Sequence, residues 1–192
     1  TFYSYEDLKF VVFTNKKRSK DWEYLKYSNH NFTNDRGFRF FSTNGDSAKK
    51  VAEYLNNEVN NRKNKKGNNG NKPEHKPHYF VIIDDYSAVK RFDFLKTISE
   101  EDSNLGFSII IIEERLSKLP SKCNNFITLG TEKSGVLKNS YEKQEQVLFR
   151  DEINYNINMM GVAKILSNIP IEFEEGISSI PDAITFMEME RV

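Results

Sequence analysis

Residues 77–87 read Pro77-His78-Tyr79-Phe80-Val81-Ile82-Ile83-Asp84-Asp85-Tyr86-Ser87. An unbroken apolar run, Tyr79 to Ile83, ends on two adjacent carboxylates. A short continuous run of this kind, bounded by turn residues, predicts a strand buried on both faces, as in a parallel sheet. Ligands of open α/β sheets bind beyond the carboxyl ends of the strands. Asp84 and Asp85 would stand at such an end. In a nucleotide-hydrolysing domain a first carboxylate there holds Mg²⁺ and a second orients the attacking water. The competing reading is that Asp85 or Ser87 merely caps the next helix.

Working outward, a second unbroken run, Phe107 to Ile112, predicts another buried strand, and Gly106 breaks the chain before it. Leu8 to Phe13 and Phe38 to Phe41 are read as further strands, with shorter ones at Phe126–Leu129 and Gln146–Phe149. Between them lie helical stripes. Ala48, Val51, Ala52, Leu55 and Val59 predict a helix from Ala48 to about Arg62, capped by Asp46 or Ser47. Val89, Phe92, Leu95 and Ile98 predict another. Ile157, Met160, Ala163 and Leu166 predict a last helix over roughly Ile153 to Ser167, with Asp151 as its cap. Asp21 to Tyr27 is read as a short helix that Asp21 could cap, with Trp22 as a core anchor. Alternation of strands and helices argues an α/β domain with a mostly parallel central sheet flanked by helices. Residues 61–77 carry almost no apolar side chain and are expected to form a mobile loop, solvated rather than bound to a polyanion. Ile180 to Met189 is expected to close the chain as a strand or hook leaving the domain.

The chain has 192 residues, which suits one domain with a sizeable core. With 28 basic and 28 acidic residues, no global field selects a nucleic acid or a membrane surface. A lone cysteine, Cys123, fits a reducing compartment. No apolar run approaches the roughly 20 residues of a membrane span, and the first residues do not have the pattern of a signal peptide. The chain starts at Thr1 and is expected to be a piece of something longer.

Phosphate-cradling loops require GxxxxGK[ST] between a strand and a helix. The nearest strand–turn–helix, Phe41 to Lys49, has one glycine, and Asp46 stands where phosphate would go; it is read as a capping turn. His30, His75 and His78 share no ligand spacing with Cys123, so no zinc site is expected.

Several stretches, taken in order, resemble the FtsK/SpoIIIE-type ATPase of type VII secretion, the EssC/EccC family. Tyr3 to Val11 looks like the family's "HSYDEVKIV", and Trp22 to His30 looks like its "W-x-W-x-K-W-L-P-H". Pro77 to Tyr86 is similar to the FtsK Walker B segment, Ile109 to Arg115 to the strand ending in "ATQR", and Ile180 to Met189 to "LPNSITFLEM". The resemblance implies the first, degenerate RecA-like (P-loop NTPase-like) domain of a membrane-anchored motor, filling residues 1–192. It puts Asp84 at the Walker B carboxylate position, Asp85 at the catalytic Glu and Arg115 at the "ATQR" arginine. Asp85 is one methylene short of Glu, and Glu113 and Glu114 put negative charge near the supposed phosphate site. No catalytic residue is therefore expected to be active, no metal is expected unless Asp84 holds Mg²⁺, and this domain is expected to need no cofactor. ATP and Mg²⁺ are implied for other domains of the parent. Implied partners are those other domains, a homo-hexamer, membrane components of the secretion system and small WXG-motif secreted proteins, with no nucleic acid. The implied location is the cytoplasmic face of the cell membrane. The alternatives are an active NTPase or DNA-translocase-like module whose P-loop lies outside this stretch, and an unrelated flavodoxin-like binding module, for which no cofactor loop is visible.

Overall fold

The computed structural model describes residues 3–64, 75–100, 104–130, 134–139, 146–150 and 156–168. Four parallel strands form the main sheet in the order β2-β1-β3-β4, where β1 is Leu8–Phe13, β2 Phe41–Ser42, β3 His78–Ile83 and β4 Phe107–Ile111. The strand that ends in Asp84 is therefore central, as the unbroken apolar run requires. The sheet is flanked by helices and is compatible with a RecA-like fold.

Alternation along the strands divides the core in two. Val11, Phe13, Tyr79, Val81 and Ile83 face helix α1 (Gly45–Asn64), whose Ala48, Val51, Ala52, Leu55 and Val59 are the predicted stripe. Helices α2 (Tyr86–Val89) and α3 (Asp93–Glu100) lie on the same side, with Val89 and Phe94 fully buried and Phe94 stacked on Phe13 at 5.8 Å. Val12, Phe41 and Ile82 face the other way, towards Trp22 and Leu25. That second face is covered by a 3₁₀ helix, Ser19–Tyr27.

Several expectations change in detail. The segment at 21–27 is 3₁₀ rather than α, and it starts at Ser19 after Arg18, so Asp21 caps nothing. The second strand is only Phe41–Ser42; Arg39 instead makes an isolated antiparallel bridge to Phe32. Helix α1 is capped by neither Asp46 nor the Ser47 hydroxyl acting forward. Asn44 Oδ1 accepts from Ser47 N–H at 2.9 Å, while Ser47 Oγ reaches back to the N–H groups of Thr43 and Asn44 at 3.1 and 3.2 Å. The expected capping turn is thus present, with its roles exchanged.

A second, antiparallel sheet, β5-β6-β7, was not anticipated in the mostly parallel reading: β5 is Asn125–Leu129, β6 Ser134–Asn139 and β7 Gln146–Arg150. Strand β6 left little sequence signal because Ser134, Gly135 and Lys138 break its apolar alternation. Helix α4 (Met159–Ser167) begins later than expected and is capped by Asn158, whose Oδ1 accepts from Gly161 N–H at 2.9 Å; Asp151 lies outside the described residues. Only part of its stripe is inward: Met160 and Ala163 are partly buried, while Ile157 and Leu166 are half-exposed. The expected mobile loop, beyond Asn64 and up to residue 74, and the expected closing strand Ile180–Met189 also lie outside the described residues.

Arg62, counted by sequence with the solvated basic loop, is buried at the end of α1. Its guanidinium donates to the carbonyls of Leu105 (2.8 Å) and Pro77 (2.7 Å), pairs with Glu58 at 2.6 Å, and lies over the rings of Tyr79 and Phe107. It ties α1 to the amino ends of β3 and β4. Arg62→Ala strands two carbonyls and Glu58, and is expected to lower unfolding free energy by about 3 kcal/mol in urea denaturation. A loss below about 1 kcal/mol would show the network to be no more than a surface pair.

Lys9 is also buried, and its Nζ has no hydrogen-bond partner among the described residues. Burial pushes its amine down to about 8, with the charge of Glu6 acting the other way. A lysine whose folded pKa is depressed costs stability below that pKa, and the cost fades as pH rises towards the unfolded value near 10.5. The stability gained by Lys9→Met over the parent chain should therefore shrink between about pH 8 and 10. Denaturant midpoints across that range check this; a constant difference contradicts it.

Candidate functional site

Parallel alignment brings the ends of β1 and β3 together. Asp84 N–H donates to the Phe13 carbonyl at 2.8 Å, which sets Asp84 beside Thr14 at the carboxyl edge of the sheet. Asn15 then turns the chain: its Oδ1 accepts from Lys17 N–H (3.0 Å) and Arg18 N–H (3.2 Å), a local side-chain turn of the kind asparagine favours. The turn returns Arg18, and then the 3₁₀ helix with Trp22, over the end of β3.

The result is a carboxylate with both oxygens engaged. Arg18 Nη1 pairs with Asp84 Oδ1 at 2.7 Å and also donates to the Asp84 carbonyl at 3.1 Å. Thr14 Oγ1 and Trp22 Nε1 both donate to Oδ2 at 3.0 Å. Asp84 is buried, whereas the Arg18 side chain is 42% exposed. Solvent screens the guanidinium's share of the attraction, and the hydrogen bonds from Thr14 and Trp22 meet the other oxygen inside. Trp22 is thus both the predicted core anchor, packed against Val12, Phe41 and Ile82, and a ligand of the carboxylate.

Asp85 is held apart from Asp84. Its Oδ1 accepts from Ser87 Oγ at 2.6 Å and its Oδ2 from Asn15 Nδ2 at 3.4 Å. It occupies the residue before α2, where its carbonyl accepts from Ala88 N–H at 3.3 Å but its side chain accepts no backbone N–H, so the side-chain cap expected of Asp85 or Ser87 is not formed. Arg115 is exposed on an extended backbone leading into the 3₁₀ turn Leu116–Lys118 and is not among the donors to Asp84. The guanidinium at this site is Arg18. Glu113 and Glu114 do approach, and their charges, after the hydrogen bond and charge of Asp84, help hold Arg18 protonated; Glu113 also pairs with Lys118 at 3.8 Å. Their negative charge therefore falls on an arginine.

Magnesium is a hard cation that binds carboxylate oxygens directly or through ordered water. Both oxygens of Asp84 are committed to donors, one of them cationic, and a metal would have to displace Arg18 from 2.7 Å. The residues present do not fit a resident Mg²⁺. Among the described residues no group of three or more His, Cys, Asp or Glu side chains is placed to hold a metal ion. The turn at 43–47 does not cradle phosphate either, because its polar groups are spent on capping α1.

Sequence reasoning singled out Asp84, Asp85 and Arg115, and Trp22 only as a core anchor; it missed Thr14, Asn15 and Arg18. The available signal was the string Thr14-Asn15-Lys16-Lys17-Arg18. It stands at the end of a second parallel strand, where an Asx turn can aim one of several cations back at the edge.

The chain aligns over its whole length with the type VII secretion system protein EssC of Staphylococcus aureus strain NCTC 8325, at 24% identity over 195 residues. EssC of strain MSSA476 is 23% identical over 194 residues, and the ESX secretion system protein EccC of Geobacillus thermodenitrificans is 23% identical over 193, covering 98% of this chain. The chain is a homologue of the EssC and EccC type VII secretion proteins. It spans about 13% of the length of the Staphylococcus relatives. No family model matches it. No helix among the described residues is long and apolar enough to cross a membrane.

Trp22 is the sole tryptophan, so its emission reports the site directly. Asp84→Ala leaves the Trp22 N–H, the Thr14 hydroxyl and Arg18 without their acceptor. It is expected to lower stability by about 3 kcal/mol and to shift Trp22 emission to the red as water enters. Asp84→Asn, which keeps one acceptor oxygen, should lose less. Unchanged emission and midpoint in Asp84→Ala would contradict the assignment.

Proposed function

We propose that the chain is a non-catalytic, RecA-like module of a type VII secretion motor, in which the end of the central strand holds the scaffold together instead of holding magnesium. The observation that carries this reading is the commitment of Asp84 to Arg18, Thr14 and Trp22. A Walker B carboxylate in use must offer an oxygen to a metal or its water, and here a guanidinium occupies that direction. The homology to EssC and EccC supports the placement in a secretion motor. The absence of GxxxxGK[ST] from the sequence and the position of Asp where Glu is wanted support the loss of hydrolysis.

In the parent protein this module would link the membrane part to downstream ATPase domains, take part in a homo-hexamer and support the export of small helical proteins. It would act as a rigid coupling element, because the cluster fastens three chain segments at one edge of the sheet. A zero net charge argues against strong phosphate contacts and hence against DNA translocation.

Isothermal titration with Mg-ATP tests the proposal. No binding tighter than about 1 mM is expected, and no turnover. Micromolar binding, or hydrolysis that Asp84→Ala abolishes, would sink it and favour an active NTPase completed by residues elsewhere in the parent.

A further inference from the structure

The main sheet has two edges, and they differ. Strand β2, at one edge, is two residues long. So short an edge offers few backbone groups to a neighbour, which is one way native sheets protect themselves. Strand β4, at the other edge, is five residues long and reads Phe107-Ser108-Ile109-Ile110-Ile111. It carries no lysine and no proline, and its register with β3 runs without a bulge. Its one hydroxyl, Ser108 Oγ, is already bonded to His78 Nε2 at 2.9 Å. None of the usual guards stands on this edge.

The hydrogen-bond register decides which backbone groups face outward. Tyr79 N–H donates to the Gly106 carbonyl at 2.8 Å, and Ile112 N–H donates to the Ile83 carbonyl at 2.9 Å. Gly106 and Ile112 bracket β4, and along a strand of a parallel ladder alternate residues bond to the same side. Ser108 and Ile110 therefore bond to β3 as well, while Phe107, Ile109 and Ile111 turn their N–H and C=O groups away from it. Among the described residues no strand lies beyond β4 to receive them.

The side chains tell the same story. A continuous apolar run belongs to the interior of a parallel sheet, and in β3 Val81 and Ile83 are fully buried. No residue of β4 is. Phe107, Ile109 and Ile111 pack against the α1 side of the core, and Ile110 and Ile112, on the opposite face, are more than a third exposed. The imbalance continues along the chain. Before β4 the exposed large apolar side chains among the described residues are Tyr3 and Tyr27. From β4 onward every described element exposes at least one isoleucine, leucine, valine or methionine. Single apolar residues on a surface need no explanation, but one or more in every element along half a chain do.

We propose that the β4 edge is an interaction surface for a further strand, apolar on both faces, contributed by a longer parent chain outside residues 1–192. The edge fixes the class of partner. Outward N–H and C=O groups select an extended backbone, and the bare isoleucines select apolar side chains on it. Two arguments fix the source. The chain spans about 13% of the length of its Staphylococcus relatives, so a parent of that kind holds ample further chain. A tethered segment also meets the edge at an effective concentration on the order of millimolar, which a second copy does not. The proposal rests on the chain being part of a longer motor, as read above, and not on the module being inactive.

Amide hydrogen exchange, resolved to single residues, tests it on the chain of residues 1–192 and on the parent protein that contains it, with light scattering to fix the oligomeric state of the former. In monomeric 1–192 the amides of Ser108 and Ile110 should be protected, and those of Phe107, Ile109 and Ile111 should exchange early. In the parent the latter three should slow by at least about a hundredfold. Edge amides that stay fast in the parent overturn the proposal and leave the homology to secretion motors untouched. Edge amides already slow in monomeric 1–192 overturn it in favour of a strand from within the chain, such as Ile180–Met189. Protection that appears in 1–192 only when it dimerises overturns it in favour of a second copy.

Discussion

The structure depends on how one buried carboxylate is satisfied. A parallel sheet delivers its strand ends to a common edge, and here the central strand delivers Asp84 into a position shut off from water. An ionised carboxylate in such a place is tolerable only if several donors meet it. Those donors come from the end of β1 and from the segment that follows it. Thr14, Arg18 and Trp22 are drawn to one point, and the 3₁₀ helix carrying Trp22 is thereby laid across the second face of the sheet. Without that anchor, Val12, Phe41 and Ile82 would lose the side chains that cover them. The polar contact and the smaller half of the core are one device.

The same commitment separates architecture from chemistry. A strand ending in paired aspartates invites a metal, and the homology to secretion motors strengthens the invitation. The side-chain geometry instead engages both oxygens of Asp84 with Arg18, Thr14 and Trp22.

The main sheet was legible because β3 and β4 are largely apolar runs, and α1 because its stripe repeats at helical spacing over about three turns of chain. Of the strand read at 38–41 only Phe41 falls in β2, although the Phe40 carbonyl still accepts from Val12 N–H at 2.8 Å; Phe38 and Phe40 pack their rings against Tyr54 of α1. Two strands of the antiparallel sheet, at Phe126–Leu129 and Gln146–Phe149, were legible as short apolar runs, but β6 and the pairing into a separate sheet were not. Ile127, Leu129, Val147 and Leu148 are all more than half exposed, so no buried face marks out the sheet in the pattern. The Asp84 cluster was half legible. Its acceptor lies in a recognisable strand end, but its donors arrive through a turn that only an asparagine's local hydrogen bonds define.

Gly106 carries a different kind of information. Its φ of +77° is left-handed, and a Cβ placed there would come within 2.5 Å of Arg62 Nη1 and about 3 Å of His75. Position 106 and position 62 are therefore not free to vary separately. As long as Arg62 fills the space over Tyr79 and Phe107, a side chain at 106 meets both backbone strain and a guanidinium. Removing Arg62 would lift the sharpest clash at 106 but leave His75 at about 3 Å and the left-handed backbone. A glycine is thus demanded there twice over, once by the guanidinium that ties α1 to the sheet and once by the chain's own path.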